Sequence, residues 1–309
     1  MSSTFVNPFT DFGFKKIFGE EASKPHLIDF LNSLLPSFAQ IADLTFKNLE
    51  QLPKSEDDRK AVYDVYCQGL NGEYFIVELQ KIKQVFFKDR TLFYATFPIQ
   101  DQAKKGDWDY KLEAVYCVGV LGFTFDDDKA NAREVVHTVK LKDQNNTIFY
   151  DKLTFIYLEM PNFDKPLSEL KTRLDKWLYF IKNLEDIQSI PELFKDTVFL
   201  NAFETAKIAN LEPLERSSYQ QSLKVLRDNY SALKTAIDEA QAIGLAKGIA
   251  EGLAQGLAQG IAEGLVEGLA EGALKAKLEI AKNLKAAGMS LEQIQTITGL
   301  SMADLEPMF

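Results

Sequence analysis

The sequence predicts an α/β protein with a helical C-terminal extension, and three observations carry that expectation. Short runs rich in Val, Ile and aromatic residues alternate with segments of helical period in the first half of the chain. The uninterrupted apolar run Ala114 to Phe123 has the Val and Tyr content of a buried strand. Beyond Pro161 the apolar spacing is helical almost throughout.

Length and composition set the bounds. The 309 residues suffice for one large domain or two ordinary ones. With 46% hydrophobic and 12% aromatic residues, global disorder is excluded. Two cysteines exclude a disulfide framework, and two histidines argue against a zinc cluster. Met1 to Asn7 has no basic stretch leading into an apolar one, and no uncharged apolar run approaches the ~20 residues of a membrane helix. These features lead us to expect a soluble, reduced, cytoplasmic protein that does not enter the membrane. The 45 acidic against 35 basic side chains, a net charge of −10, weigh against nonspecific nucleic-acid binding, which needs cationic surface.

Four segments differ in texture: 1–125, 126–240, 241–273 and 274–309. In the first, Phe30, Leu31, Leu34 and Leu35 have helical spacing behind Ser23 and Pro25, which suit a helix start. Ala61 to Gln68 and Tyr74 to Gln80 read as strands joined at Gly69-Leu70-Asn71-Gly72, and a helix is expected from Phe86 to Lys105. The second segment opens with the acidic turn Asp126-Asp127-Asp128. Strands over Glu134–Lys142 and Leu153–Met160 follow, then helices over Leu167–Leu184 and Tyr219–Ala240, with Trp177, Phe180 and Ile181 facing the core.

In the third segment Gly244, Gly248, Gly252, Gly256, Gly260, Gly264, Gly268 and Gly272 recur every four residues. Four residues advance a helix by about 400°, so the glycine stripe drifts ~40° per repeat around the rod. Interior glycines cost ~1 kcal/mol each relative to Ala, which makes an isolated helix marginal. A self-association arm is the favoured reading and makes a homo-oligomer the expected state; a flexible linker is the alternative. Glu251, Glu263, Glu267 and Glu271 speak against a membrane helix. In the last segment, Ser290 with Gln293 and Ser301 with Asp304 form helix starts after Gly288 and Gly299, with helix-turn-helix spacing. The last piece, Met302 to Phe309, carries Asp304 and Glu306 but no Lys or Arg, which favours a packing or partner-binding module over a DNA reader.

The hairpin carries the sharpest chemical signal. With a two-residue turn Asp64 would oppose Val77. With the loop Leu70-Asn71-Gly72, ending in a left-handed glycine, Asp64 opposes Glu78 with Cβ atoms ~5 Å apart. Gln80 then shares their face, while Tyr63, Val65, Cys67, Phe75, Val77 and Leu79 form the core set. Opposed carboxylates repel unless a proton or cation lies between them, and Mg2+ is the natural hard ion. A solvated acidic hairpin face is the competing reading. Lys81, Lys83, Lys88, Arg90 and Lys104-Lys105 form either a local phosphate-tracking edge or a solvated helix face.

Asp64 followed by Glu78-Leu79-Gln80, in helix–strand–hairpin–helix–strand order, resembles the PD-(D/E)xK nuclease superfamily. The opening Asn7-Pro8-Phe9 and Asp11-Phe12-Gly13-Phe14-Lys15-Lys16-Ile17-Phe18-Gly19 narrow the resemblance, together with Phe30-Leu31-Asn32, Asp64-Val65-Tyr66, Arg90, Tyr94 and Tyr157-Leu158-Glu159-Met160-Pro161. Together they are similar to the Rpn group, recombination-promoting nucleases also described as transposases. The resemblance implies a restriction-endonuclease-like core to about residue 125, with a mixed sheet flanked by helices. It implies a Mg2+-dependent DNA endonuclease tied to recombination or mobile DNA. Asp64 and Glu78 match its metal-binding acids, Glu20 its additional helix carboxylate, and Gln80 stands where the superfamily has lysine. Gln80 would then position water or substrate, with Lys15 or Arg90 on phosphate. A non-catalytic oligomer that keeps the fold and binds DNA or protein is the alternative, favoured by the missing lysine.

Overall fold

A computed structural model describes residues 3–51, 61–103, 109–125 and 133–308. The expected acidic turn at Asp126–Asp128 and the pair Lys104-Lys105 lie outside the described residues. The chain divides into two compact units, Met1–Ser231 and Ala232–Phe309.

The first unit is built on a six-stranded mixed sheet of order β1-β4-β5-β6-β8-β7. Its strands are β1 (Leu44–Phe46), β4 (Val65–Gly69), β5 (Tyr74–Gln80), β6 (Val115–Leu121), β7 (Val136–Lys142) and β8 (Ile148–Glu159), while β2 (Glu50–Gln51) pairs separately with β3 (Ala61–Val62). β5, β6 and β8 run parallel at the centre; the other pairs are antiparallel. β7 and β8 thus extend the sheet begun by the hairpin. β8 starts five residues earlier than the sequence suggests, because the β7–β8 hairpin runs on past a register shift at Lys140–Leu141.

Both faces of the sheet are covered. On one lie α1 (Asp11–Phe18), α2 (Lys24–Leu34), α4 (Arg173–Asn183) and α5 (Thr197–Ala206), whose aromatic side chains dominate the larger core. Trp177 sits 4.5 Å from Phe199 and 5.5 Å from Phe18, ring centroid to centroid. The other face is covered by α3 (Phe87–Asp101), through Phe87 and Ala95, over a smaller core of Tyr63, Tyr66, Ile76, Cys117 and Tyr157. Tyr63 therefore departs from the expected set: the chain breaks at Tyr63-Asp64, between β3 and β4, and turns that ring toward Tyr94.

Local chemistry fixes the helix starts. Thr10 caps α1 by accepting the Gly13 N–H at 3.0 Å, and a Cβ at Gly13 would lie 2.2 Å from the Asn7 carbonyl oxygen. The Asn7…Gly13 signature is thus a tight chain entry. Helix α4 begins at Arg173, not Leu167, because Thr172 and Asp175 form a capping box there after Pro166. Helix α6 (Pro213–Ala286) opens in this unit, where Tyr219 and Leu223 join the larger core.

The second unit holds the glycine repeat within α6. Among the described residues, a Cβ at any of the eight repeat glycines would meet nothing within 4 Å. Leu253, Leu257, Ile261 and Leu265 beside them are 62–72% exposed. Ser290 and Ser301 cap α7 (Leu291–Thr298) and α8 (Met302–Leu305) as their spacing foretold, and Gly299 ends α7 at φ +63°. The two short helices pack Ile294, Leu300 and Leu305 on Ala281 of α6. Among the described residues no helix is long and apolar enough to cross a membrane.

Candidate active site

The β4–β5 hairpin has the three-residue loop. The Gly69 N–H donates to the Glu73 carbonyl at 2.9 Å, and Gly72 takes φ +95°, the left-handed region open to glycine. Val65 pairs with Val77, so the next step sets Asp64 against Glu78. Hydrogen-bonded and non-bonded pairs alternate along an antiparallel ladder, and counting from Gly69–Glu73 makes Asp64–Glu78 a non-bonded pair, whose side chains approach most closely. The ladder would next offer the Tyr63 carbonyl to Leu79. Instead the Leu79 N–H donates to Asp64 Oδ2 at 2.7 Å. The carboxylate completes the ladder itself, which breaks the strand at that point and fixes its orientation.

This face is not solvated. Glu78 is 6% exposed, and its Oε1 is buried with no hydrogen-bond partner among the described residues. Burial raises both carboxyls above their ordinary values; for Glu78 the Asp64 charge adds to it, carrying the group to about 8. Asp11 raises Asp64 further, while Lys15 and Arg90 pull both down.

Arg90, from the first turns of α3, reaches the pair from above. Its Nη2 donates to Gln80 Oε1 at 2.7 Å and stands 3.7 Å from Glu78 Oε2, while Nη1 donates to Gln84 Oε1 at 2.6 Å. The guanidinium lies over the Phe87 ring at 5.0 Å, and its Nε is buried without a partner among the described residues. Gln80 also donates from Nε2 to the Ile82 carbonyl at 2.8 Å. Both ends of its amide are therefore engaged within the protein. Gln80, expected to position water or substrate, supports Arg90 in this geometry.

The remaining expected residues divide. Lys15 is brought to the pair from α1 and bridges Asp11 at 2.7 Å. Glu20 is not: it takes Lys16 at 3.1 Å, and Lys16 also bridges Glu215 at 2.5 Å. Among the described residues no group of three His, Cys, Asp or Glu side chains could share an ion. Lys81 points to the opposite side, 4.2 Å over the Phe9 ring, so among the described residues the basic edge keeps Lys83, Lys88 and Arg90. Two contributors escaped the sequence reading. Asp11, one helical turn before Lys15, is the acid that α1 directs at Asp64. Gly119 stands beside Glu78 in the parallel register, where a Cβ would touch Tyr157 at 3.0 Å.

No curated protein matches the chain, and no solved structure does. Residues 8–236 match the family model of the PD-(D/E)XK nuclease family transposases, a span that takes in the whole six-stranded sheet and helices α1 to α5. The chain belongs to the PD-(D/E)XK nuclease family transposases.

Proposed function

We propose that this chain is a metal-dependent DNA endonuclease acting in recombination or mobile-element biology, with Asp64 and Glu78 as its ion-holding pair. The observation that carries this reading is the buried Glu78 Oε1, without a partner among the described residues, facing a second carboxylate across one strand pair. Such a pair needs a proton or a cation, and a hard divalent ion with a few carboxylate ligands fits the donor set. Mg2+ held there would offset charge on a phosphodiester and lower the pKa of a bound water. The protein supplies the rest. Asp64 is oriented by the Leu79 N–H, and Lys15 and Arg90 provide cations toward phosphate. Arg90, steadied by Gln80, brings the positive charge that the family's lysine would carry at position 80. A homo-oligomer formed through the glycine-repeat arm belongs to the same reading, since its Leu and Ile side chains are exposed beside glycines that leave the backbone open to close approach.

The replacement of lysine by Gln80 favours a second reading, a non-catalytic DNA- or protein-binding oligomer. Plasmid incubation with and without Mg2+, beside an Asp64→Ala variant, separates the two. Cleavage by the wild type with Mg2+ and none by the variant is expected; equal cleavage by both, or none by either, refutes this hairpin as an active site.

A further inference from the structure

The β5–α3 connection and Phe125, past the end of β6, border a hollow of 510 Å3, lined by Lys83, Phe86, Phe87, Lys88, Asp89 and Phe125. Its aromatic rim is unusually exposed. Val85 and Phe86 stand 89% and 73% exposed at the entry to α3. The Phe86 carbonyl accepts the Arg90 N–H at 3.0 Å, so Phe86 sits one helical turn from the guanidinium that touches Gln80 and approaches Glu78.

The opposite wall is fixed. The Phe125 N–H donates at 2.8 Å to Glu159, a carboxylate 3% exposed whose other oxygen accepts from Asn162 at 2.8 Å. The Phe125 ring meets Tyr157 at 5.3 Å, and Lys88 Nζ lies 4.5 Å from its centroid. This assigns a purpose to the Tyr157…Pro161 signature: Glu159 pins the wall of the hollow.

The chemistry on these walls narrows the occupant. Aromatic faces flanked by lysines are the means by which proteins hold unpaired bases, the rings by stacking and the cations by tracking phosphate. A hollow of this volume is of ligand-site size. Duplex DNA presents phosphates, but its bases are already stacked and offer no free face.

We infer that the hollow takes an unpaired nucleobase of the DNA strand, stacked on Phe86, with Lys83 and Lys88 on the neighbouring phosphates. The inference rests on the proposed action on DNA and names the substrate class as single-stranded or locally unpaired DNA.

Fluorescence anisotropy with a labelled oligo-dT strand and a blunt duplex of equal length, in Ca2+, tests this on the full chain. Phe86→Ala is expected to weaken strand binding about tenfold. Phe86→Trp keeps it, and both variants bind duplex as the wild type does. Because Phe86 is exposed, neither change disturbs the core. Unchanged strand affinity in Phe86→Ala overturns the inference. So does equal weakening toward strand and duplex. Absence of strand binding altogether also overturns it and points to a protein partner on this rim. The outcomes separate from those of the nuclease reading. Cleavage lost in Asp64→Ala with Phe86 indifferent leaves that reading and removes the hollow. Strand binding that depends on Phe86, in a protein that cuts nothing, does the reverse.

Discussion

Glu78→Gln should make the metal-free protein more stable at high pH, and the size of the effect follows from the burial of the pair. Glu78 moves from an ordinary 4.5 to about 8 on folding. The folded chain thus binds more protons than the unfolded one in between, so stability is full below 4.5 and is lost as pH rises through the folded value. Each pH unit is worth about 1.4 kcal/mol, an upper bound of about 5 kcal/mol for the full interval. Asp64 is raised alongside, so the titration belongs to the pair, and water entry reduces the penalty to about 3 kcal/mol. Urea unfolding in EDTA at pH 5, 7 and 9 reads this directly. The wild type should fall by about 3 kcal/mol relative to Glu78→Gln between pH 5 and 9, and Mg2+ should restore most of the loss by taking the proton's place. Groups away from the pair, such as His26, held neutral by burial, contribute equally to both proteins and cancel in the difference. A stability difference that stays flat from pH 5 to 9 in EDTA would refute the reasoning.

Two further outcomes follow from other parts of the molecule. Arg90→Gln should lower the plasmid cleavage rate by about 10²–10³-fold, the scale of removing one charge-stabilising donor. Adding Gln80→Lys to that variant should recover part of the loss, and a rate unaffected by Arg90→Gln would return the cation role to Lys15. Deleting residues 244–272 should reduce the mass measured by light scattering to that of a smaller assembly, whereas an unchanged mass would remove the arm from self-association.

How much of this was legible depended on whether local rules decided the outcome. The hairpin register was, because loop length and a left-handed glycine fix strand parity without help from the rest of the fold. The caps at Ser290 and Ser301 were legible for the same reason. Burial of the acidic face was not. An alternating strand looks half-exposed, and α3, from a segment after the hairpin, brings Thr91 and Tyr94 over Glu78. The Gln80–Arg90 contact was not legible because Arg90 lies ten residues away across a chain reversal. Helix phase was not legible either: Lys15 pairs with Asp11, while Lys16 turns to Glu20 and Glu215. Tyr63 left its expected face because Asp64 took over a backbone acceptor's place and broke the strand.

The net charge of −10 misleads because the chemistry is gathered at one end of the sheet. Gln80, Leu121 and Glu159 stand in register where the three parallel strands β5, β6 and β8 finish. Open α/β sheets place ligands at the carboxyl ends of such strands, where the connecting loops converge. Here each strand end has a visible task. Gln80 holds Arg90 in place, and Glu159 holds Phe125. After Leu121 the chain crosses the β5 exit so closely that a Cβ at Gly122 would lie 2.6 Å from the Lys81 carbonyl oxygen. Lys81 lies over Phe9, while Lys83, Lys88 and Arg90 are cations on the α3 side among the described residues. A few basic groups beside buried carboxylates set the local field at this end of the sheet, which the net charge of the whole chain does not report.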